Sequence, residues 1–211
     1  MQNYERVKSD SISAELYTKR KPRKHQAEMQ MVVEAFQMLP TPKIETVLDA
    51  PCGVGRFSLW MLQQGFDVTA VDLGESAVKL TTELLEDNSL VANVGCQDIF
   101  NMQFGEQEFD VSFCFRLLHH FSEEKDQAAL VAKLCRVTSG YVIISYISTY
   151  STTTLRRKLR KRISGKAIKQ NPISLTQLKT MFSSYNFKHL GSVKRSGLLH
   201  SLQLAVFARN G

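Results

Sequence analysis

Residues 47–55 read Val-Leu-Asp-Ala-Pro-Cys-Gly-Val-Gly, an apolar run that ends in an acid and passes into a glycine-rich turn. The turn opens onto Arg56-Phe57-Ser58-Leu59-Trp60-Met61-Leu62, which has helical spacing. Strand, tight turn and helix N-terminus together make a nucleotide-binding device. The glycines let the backbone approach a ligand closely, and the helix end supplies free N–H donors. A dinucleotide fingerprint would read G-x-G-x-x-G, with the third glycine packing helix on strand. Gly53 and Gly55 fill the first two places, but Ser58 stands in the third, and Asp49 adds a carboxylate at the strand end.

Three further segments carry acids or polar groups at the ends of apolar runs. Phe66–Asp72 reads as a second strand ending in an acid, where a carboxylate can accept from both ribose hydroxyls; Asp72 is the ribose candidate. Glu75, in the first turn of the next helix, either contacts a ligand or pairs with the helix dipole. Val94–Ile99 places Asp98 after a third strand, where a loop aspartate is also an ordinary turn residue. Phe109–Phe121 is a fourth strand followed by Arg116-Leu117-Leu118-His119-His120.

The spacing Asp49-x-Pro51-x-Gly53-x-Gly55 resembles motif I of the class I S-adenosylmethionine-dependent methyltransferases, D/E-x-G-x-G-x-G, with Pro51 replacing the first glycine and stiffening the turn. The other three segments follow in that family's order, and the four together cover about half the chain. The resemblance implies the cofactor S-adenosylmethionine, with Asp49, Pro51, Cys52, Gly53 and Gly55 around its methionine end. It implies Asp72 and Leu73 at the ribose, Asp98 and Ile99 at the adenine, and Phe115 where strand 4 borders the transferable methyl. A sulfonium cation with an amino group and no pyrophosphate suits a carboxylate beside the loop.

Alternating elements must position these residues. The pattern predicts a helix over about Arg23–Leu39, closed by Pro40 and Pro42. Strands follow near Thr46–Ala50, Val68–Val71, Val91–Gly95, Asp110–Phe115 and Tyr141–Ile147. Helices Glu75–Glu86 and Ser122–Arg136 lie between them, the second capped by Ser122. Ser174 with Gln177 is a capping-box signature for a helix reaching about Ser183. Phe187–Lys194 and Leu199–Ala208 read as a closing hairpin. The expected fold class is α/β: a doubly wound, mostly parallel seven-stranded sheet with helices on both faces and a C-terminal antiparallel hairpin. Ligands in such sheets sit at the carboxyl ends of the strands near the switch point beside strand 1, where all four motifs fall. The whole chain, 1–211, reads as one domain: an N-terminal lid and helix over 1–40, a cofactor-binding core over 41–148, a basic cap over 149–172, and a last helix and hairpin over 173–211.

The 43% hydrophobic and 22% charged fractions fit a soluble globular protein, and the polar first residues lack a signal-peptide pattern. The longest apolar run, Tyr141–Ile147, is too short to span a bilayer. The four cysteines include no C-x-x-C pair, so they read as reduced, small apolar residues and no metal is expected. The expected location is cytoplasmic, with peripheral contact at the inner face of a membrane as a further option.

Charge is divided unevenly. Residues 127–211 hold 15 Lys/Arg and no acid, whereas residues 1–126 hold 12 Lys/Arg against 20 Asp/Glu. The densest patch, 156–162, is flanked by Leu155, Leu159 and Ile163, one apolar stripe on a basic helix. A second basic cluster covers Lys19–His25. Either the patch is a solvated helix, or it meets an anion: a small-molecule or lipid-linked acceptor, an anionic membrane surface, or RNA. RNA is the less favoured, since no aromatic-interleaved basic strand is present.

Methyl transfer is an in-line displacement that needs alignment and exclusion of water, and a general base only where the acceptor must lose a proton. His119 and His120 are the candidates for that base, or simply pack against the next helix. Arg116 either binds an anionic substrate group or pairs with a local acid such as Glu123. Tyr17, Tyr146, Arg156 and Arg160 are candidate acceptor contacts; Phe57 reads as core. Arg116-Leu117-Leu118-His119 stands where amino-methylating DNA and glutamine methyltransferases carry Asn/Asp-Pro-Pro-Tyr/Phe, which favours an oxygen acceptor over nitrogen. The alternatives are an RNA methyltransferase, a non-catalytic RNA- or partner-binding protein on the same fold, and a nicotinamide-dependent oxidoreductase, which Ser58 and Asp49 disfavour.

Overall fold

The computed structural model describes residues 22–39, 44–149, 170–194 and 201–211. Its elements run in order α1 (Pro22–Gln37), β1 (Thr46–Asp49), α2 (Arg56–Gln63), β2 (Asp67–Asp72), α3 (Glu75–Asp87), β3 (Asn93–Cys96), β4 (Phe109–Cys114), α4 (Glu124–Val137), β5 (Thr138–Ile147), α5 (Leu175–Ser183), β6 (Phe187–Lys194) and β7 (Leu202–Arg209). Short 3-10 turns cover Ile99–Asn101 and Leu118–His120. The seven strands form one sheet in the order β3-β2-β1-β4-β5-β7-β6. Its pairings are parallel except those of β7, which runs antiparallel to both β5 and β6.

Two hydrophobic cores lie on opposite faces of this sheet, and side-chain alternation assigns each strand residue to one of them. Val47, Val111, Phe113, Ile143, Leu204 and Val206 join Met31, Val32, Ala35 and Phe36 of α1 and Phe57 and Met61 of α2. Leu48, Cys114, Val142, Ile144, Ala205 and Phe207 join Leu130, Val131 and Leu134 of α4 and Leu178, Met181 and Phe182 of α5. On the second face, Phe182 stacks on Phe207 with ring centroids 3.8 Å apart.

Local signals account for most boundaries. Ser174 and Gln177 form the full capping box at α5. The α4 helix begins later than its sequence suggested: Glu123, not Ser122, is the N-cap, and no side chain caps it. Instead the Glu123 carbonyl accepts from the Asp126 and Gln127 N–H groups. At its other end α4 passes directly into β5, which starts at Thr138 rather than Tyr141, with the Thr138 hydroxyl donating back to the Leu134 carbonyl. β3 starts at Asn93, since Val91 is almost fully exposed and outside the ladder. The start of the last strand moves from the expected Leu199 to Leu202; residues 199 and 200 lie outside the described residues. All four cysteines are free thiols, and Cys96, read as a small apolar residue, is exposed. No helix among the described residues is long and apolar enough to cross a membrane.

Phe182→Ala opens a void between α5 and β7, and is expected to lower stability by about 3–5 kcal/mol. Urea unfolding of the two proteins measures the difference.

Candidate functional site

The glycine loop sits where the strand order reverses, between β1 and its two neighbours β2 and β4. Its backbone is tied to both: Ala50 N–H donates to the Phe113 carbonyl and Cys52 N–H to the Val71 carbonyl. The Ala50–Pro51 bond is cis. Gly55 adopts φ +73°, and a Cβ there would lie 2.8 Å from Thr81 Cγ2. Glycine thus lets the loop pass close to α3, where the Thr81 hydroxyl donates to the Gly53 carbonyl at 3.2 Å. The buried Cys52 thiol lies 3.6 Å from the same hydroxyl. Leu59 N–H then closes the first turn of α2 on the Gly55 carbonyl.

Two acids stand at this loop and a third follows β3, each in a different state. Asp49 is fully buried, and its Oδ2 accepts from the Ser58 hydroxyl at 2.6 Å. Ser58, in the place of the third glycine, thus serves as a donor to the motif acid. Asp49 Oδ1 has no hydrogen-bond partner among the described residues. Burial pushes this carboxyl up to about 7; the Ser58 hydrogen bond opposes the rise, Asp72 adds to it, and Arg56 opposes it. Asp72, also buried, accepts from Gly53 N–H at 2.9 Å and from Gly74 N–H at 3.0 Å, so it joins the glycine loop to the start of α3. Asp98 is exposed and accepts from Phe100 N–H as cap of its 3-10 turn. Ile99 beside it is buried, and Leu73, after Asp72, is half-exposed. Phe115, just past β4, is buried between Phe57 and Phe113 at centroid distances of 4.7 and 5.9 Å.

This set fits an S-adenosyl nucleoside. A buried acceptor without a donor suits an ammonium or sulfonium, and two buried carboxylates against the loop would repel a pyrophosphate.

The segment after β4 is held from three sides. Arg116 has φ +61°, and its N–H donates to Ser145 Oγ at 2.5 Å. Its guanidinium pairs at 2.6 Å with Glu28 of α1, not with Glu123. Glu28, fully buried, also takes Arg56 at 2.6 Å and Lys24 at 3.9 Å. His119 is buried and His120 exposed, with ring centroids 4.4 Å apart. Asn171 N–H donates to the His119 carbonyl at 2.9 Å, which binds the histidine turn to the residues before α5. Tyr146 is buried on the α4/α5 face, its hydroxyl donating to Gln203 Oε1 at 2.6 Å. Tyr17, Arg156, Arg160 and the basic stretch 156–162 lie outside the described residues. Among the described residues, no group of His, Cys, Asp and Glu could hold a metal ion.

Sequence reasoning passed over Glu28, Ser145, Thr81 and Asn171. Glu28 alone left a signal. It begins the series 28, 31, 32, 35, 36 that forms the buried face of α1, and a charge in an apolar stripe needs a partner.

Residues 47–140 match the family described as a methyltransferase domain. A ubiquinone biosynthesis O-methyltransferase of Coxiella burnetii is 36% identical over 95 residues, which are 43% of this chain and 41% of the relative. The chain thus spans about two fifths of the length of the curated relatives it matches first. The PH0226 protein from Pyrococcus horikoshii superposes with a TM-score of 0.71 at 20% identity, over 100% of both chains. Magnesium protoporphyrin IX methyltransferase from Synechocystis, solved with bound S-adenosylhomocysteine, gives 0.70 at 16% identity over 89% of this chain and 84% of that one. At these identities the structural likeness is one of fold.

The raised Asp49 carboxyl carries a stability signature. The folded protein holds this proton more tightly than the unfolded chain. The resulting stabilisation is full below about pH 4 and is lost as pH rises through about 7. Asp49→Asn, neutral throughout, should gain on the parent by up to about 4 kcal/mol between pH 4 and pH 8. Urea unfolding of both proteins across that range checks it; parallel profiles would mean that Asp49 stays ionised.

Proposed function

We propose that this chain, which carries over residues 47–140 a methyltransferase domain of the class I, Rossmann-like, S-adenosylmethionine-dependent family, transfers a methyl group to an oxygen of a small or lipid-linked anionic acceptor. The observation that carries the reading is the loop itself: Gly53 and Gly55 at positive φ, buried Asp49 with an oxygen unpartnered among the described residues, and Asp72 bonded to the Gly53 N–H. S-adenosylmethionine, when bound, supplies the electrophilic methyl.

The residues divide the remaining work. Asp49 receives the cationic end of the cofactor, Asp72 and Leu73 its ribose, and Asp98 and Ile99 its adenine. Phe115 and the aromatic cluster behind it keep water from the transfer path. His119, buried beside the end of β4, takes the proton of an acceptor hydroxyl. Oxygen is favoured because no Pro-Pro motif follows β4, and because the Coxiella relative is named an O-methyltransferase. The acid-free residues 127–211 favour an anionic acceptor, with Arg156, Arg160 and Tyr17 as its contacts and an anionic membrane surface as its source, whereas Tyr146 is packed in the α4/α5 core and is not among them.

Calorimetry with S-adenosylhomocysteine should show saturable binding that Asp72→Ala weakens by at least about 100-fold, the loss of a buried acceptor that also holds the glycine loop. Saturable NAD binding without S-adenosylmethionine binding would overturn the reading. With 3,4-dihydroxybenzoate as a probe, His119→Gln should reduce kcat by about 10²–10⁴-fold. Transfer to RNA and to no phenol would replace the acceptor assignment.

A further inference from the structure

Glu28 lies outside the nucleotide-binding motifs, yet its carboxylate is fully buried and joins three parts of the chain. It comes from α1, and holds Arg56 at the head of α2 and Arg116 just past β4, each at 2.6 Å. Those two arginines therefore stand together on one carboxylate, and Arg56, which directly follows the glycine loop, is near enough to Asp49 to oppose its protonation. Both guanidiniums lie along aromatic faces, Arg56 4.1 Å from the Phe57 ring centroid and Arg116 5.9 Å from that of Phe115. Arg116 Nε is buried and has no hydrogen-bond partner among the described residues. A guanidinium presents its donors in a fixed fork, so with one arm on Glu28 the other is aimed in a set direction. Arg116 also sits at φ +61°, so its placement is imposed by its surroundings.

An α-amino acid group carries an ammonium and a carboxylate a few ångströms apart. The loop presents the matching pair: a buried acid, Asp49, and beside it Arg56 and Arg116 set by Glu28. We infer that Glu28 is a positioning residue of the cofactor site, holding Arg116 and Arg56 so that they receive the carboxylate at the amino-acid end of the cofactor. This rests on the S-adenosylmethionine reading above. Glu28 does not touch the cofactor; it acts through the two arginines. Its buried charge is compensated by both, and each guanidinium is oriented by it.

The test uses three ligands: S-adenosylhomocysteine, its decarboxylated analogue (same adenosine, sulfur and amine), and adenosine. Each is titrated calorimetrically into the parent, Glu28→Gln and Arg116→Gln. The parent should prefer S-adenosylhomocysteine over the decarboxylated analogue by about 10- to 100-fold, the size of one or two charge-assisted hydrogen bonds. Both variants should reduce that ratio below about 3-fold while binding adenosine as the parent does. A merely structural role would weaken all three ligands together and leave the ratio intact, which overturns the inference. So does a parent that does not discriminate, an intact ratio in Arg116→Gln, or, where both variants fold, a collapse of the ratio in only one of them. Arg116→Gln keeps the test available if Glu28→Gln does not fold, because a third of the Arg116 side chain is exposed. A parent that binds none of the S-adenosyl ligands defeats the cofactor reading instead.

Discussion

The site is organised by one carboxylate bonded to two backbone N–H groups. Asp72 ends β2 and accepts from Gly53 of the glycine loop and from Gly74 at the start of α3. Without it, two adjacent crossovers would each lose the acceptor of a half-buried N–H. The bonds fix the loop against β2, while Ala50 and Cys52 fix it against β4 and β2 through their own N–H groups. The loop is therefore held on both sides of the switch point before any ligand arrives, and its close approach to α3 is possible only because Gly55 lacks a Cβ.

Around that frame the buried charges divide into two kinds. Glu28 is compensated, with a guanidinium on each oxygen. Asp49 is not: it has one short bond from Ser58 and, among the described residues, a second oxygen without a partner. A protein keeps an under-satisfied buried acid at a cost to its stability. Under the proposed function, Asp49 is therefore the acid suited to a cation, whereas Glu28 ties α1 to the head of α2 and to the segment after β4.

How far the sequence discloses this differs from residue to residue. The apolar runs of β1, β4 and β5 and the capping box at Ser174 announce themselves, because alternation and cap chemistry are local. Asp49, Asp72 and the glycines are equally local, lying at strand ends and in a turn. Ser122 misled because a good capping residue does not oblige a helix to start beside it; the carbonyl of Glu123 closes the first turn instead. Arg116 and Glu28 are 88 positions apart, and no short-range pattern pairs them. Ser58 reads as a missing glycine until the Asp49 carboxylate is seen 2.6 Å from its hydroxyl.

The strand order also bears on how the chain assembles. β7, the last strand in sequence, lies between β5 and β6, so β6 has no neighbour in the sheet until β7 is in place. Arg209, on β7, further donates to the carbonyls of Cys135 and Thr138, where α4 runs into β5. During synthesis on a ribosome the glycine loop and its three flanking strands can pair while the far edge is still open. Completion of the sheet waits for β7 to emerge, which leaves the β5 edge unpaired and in need of protection until then.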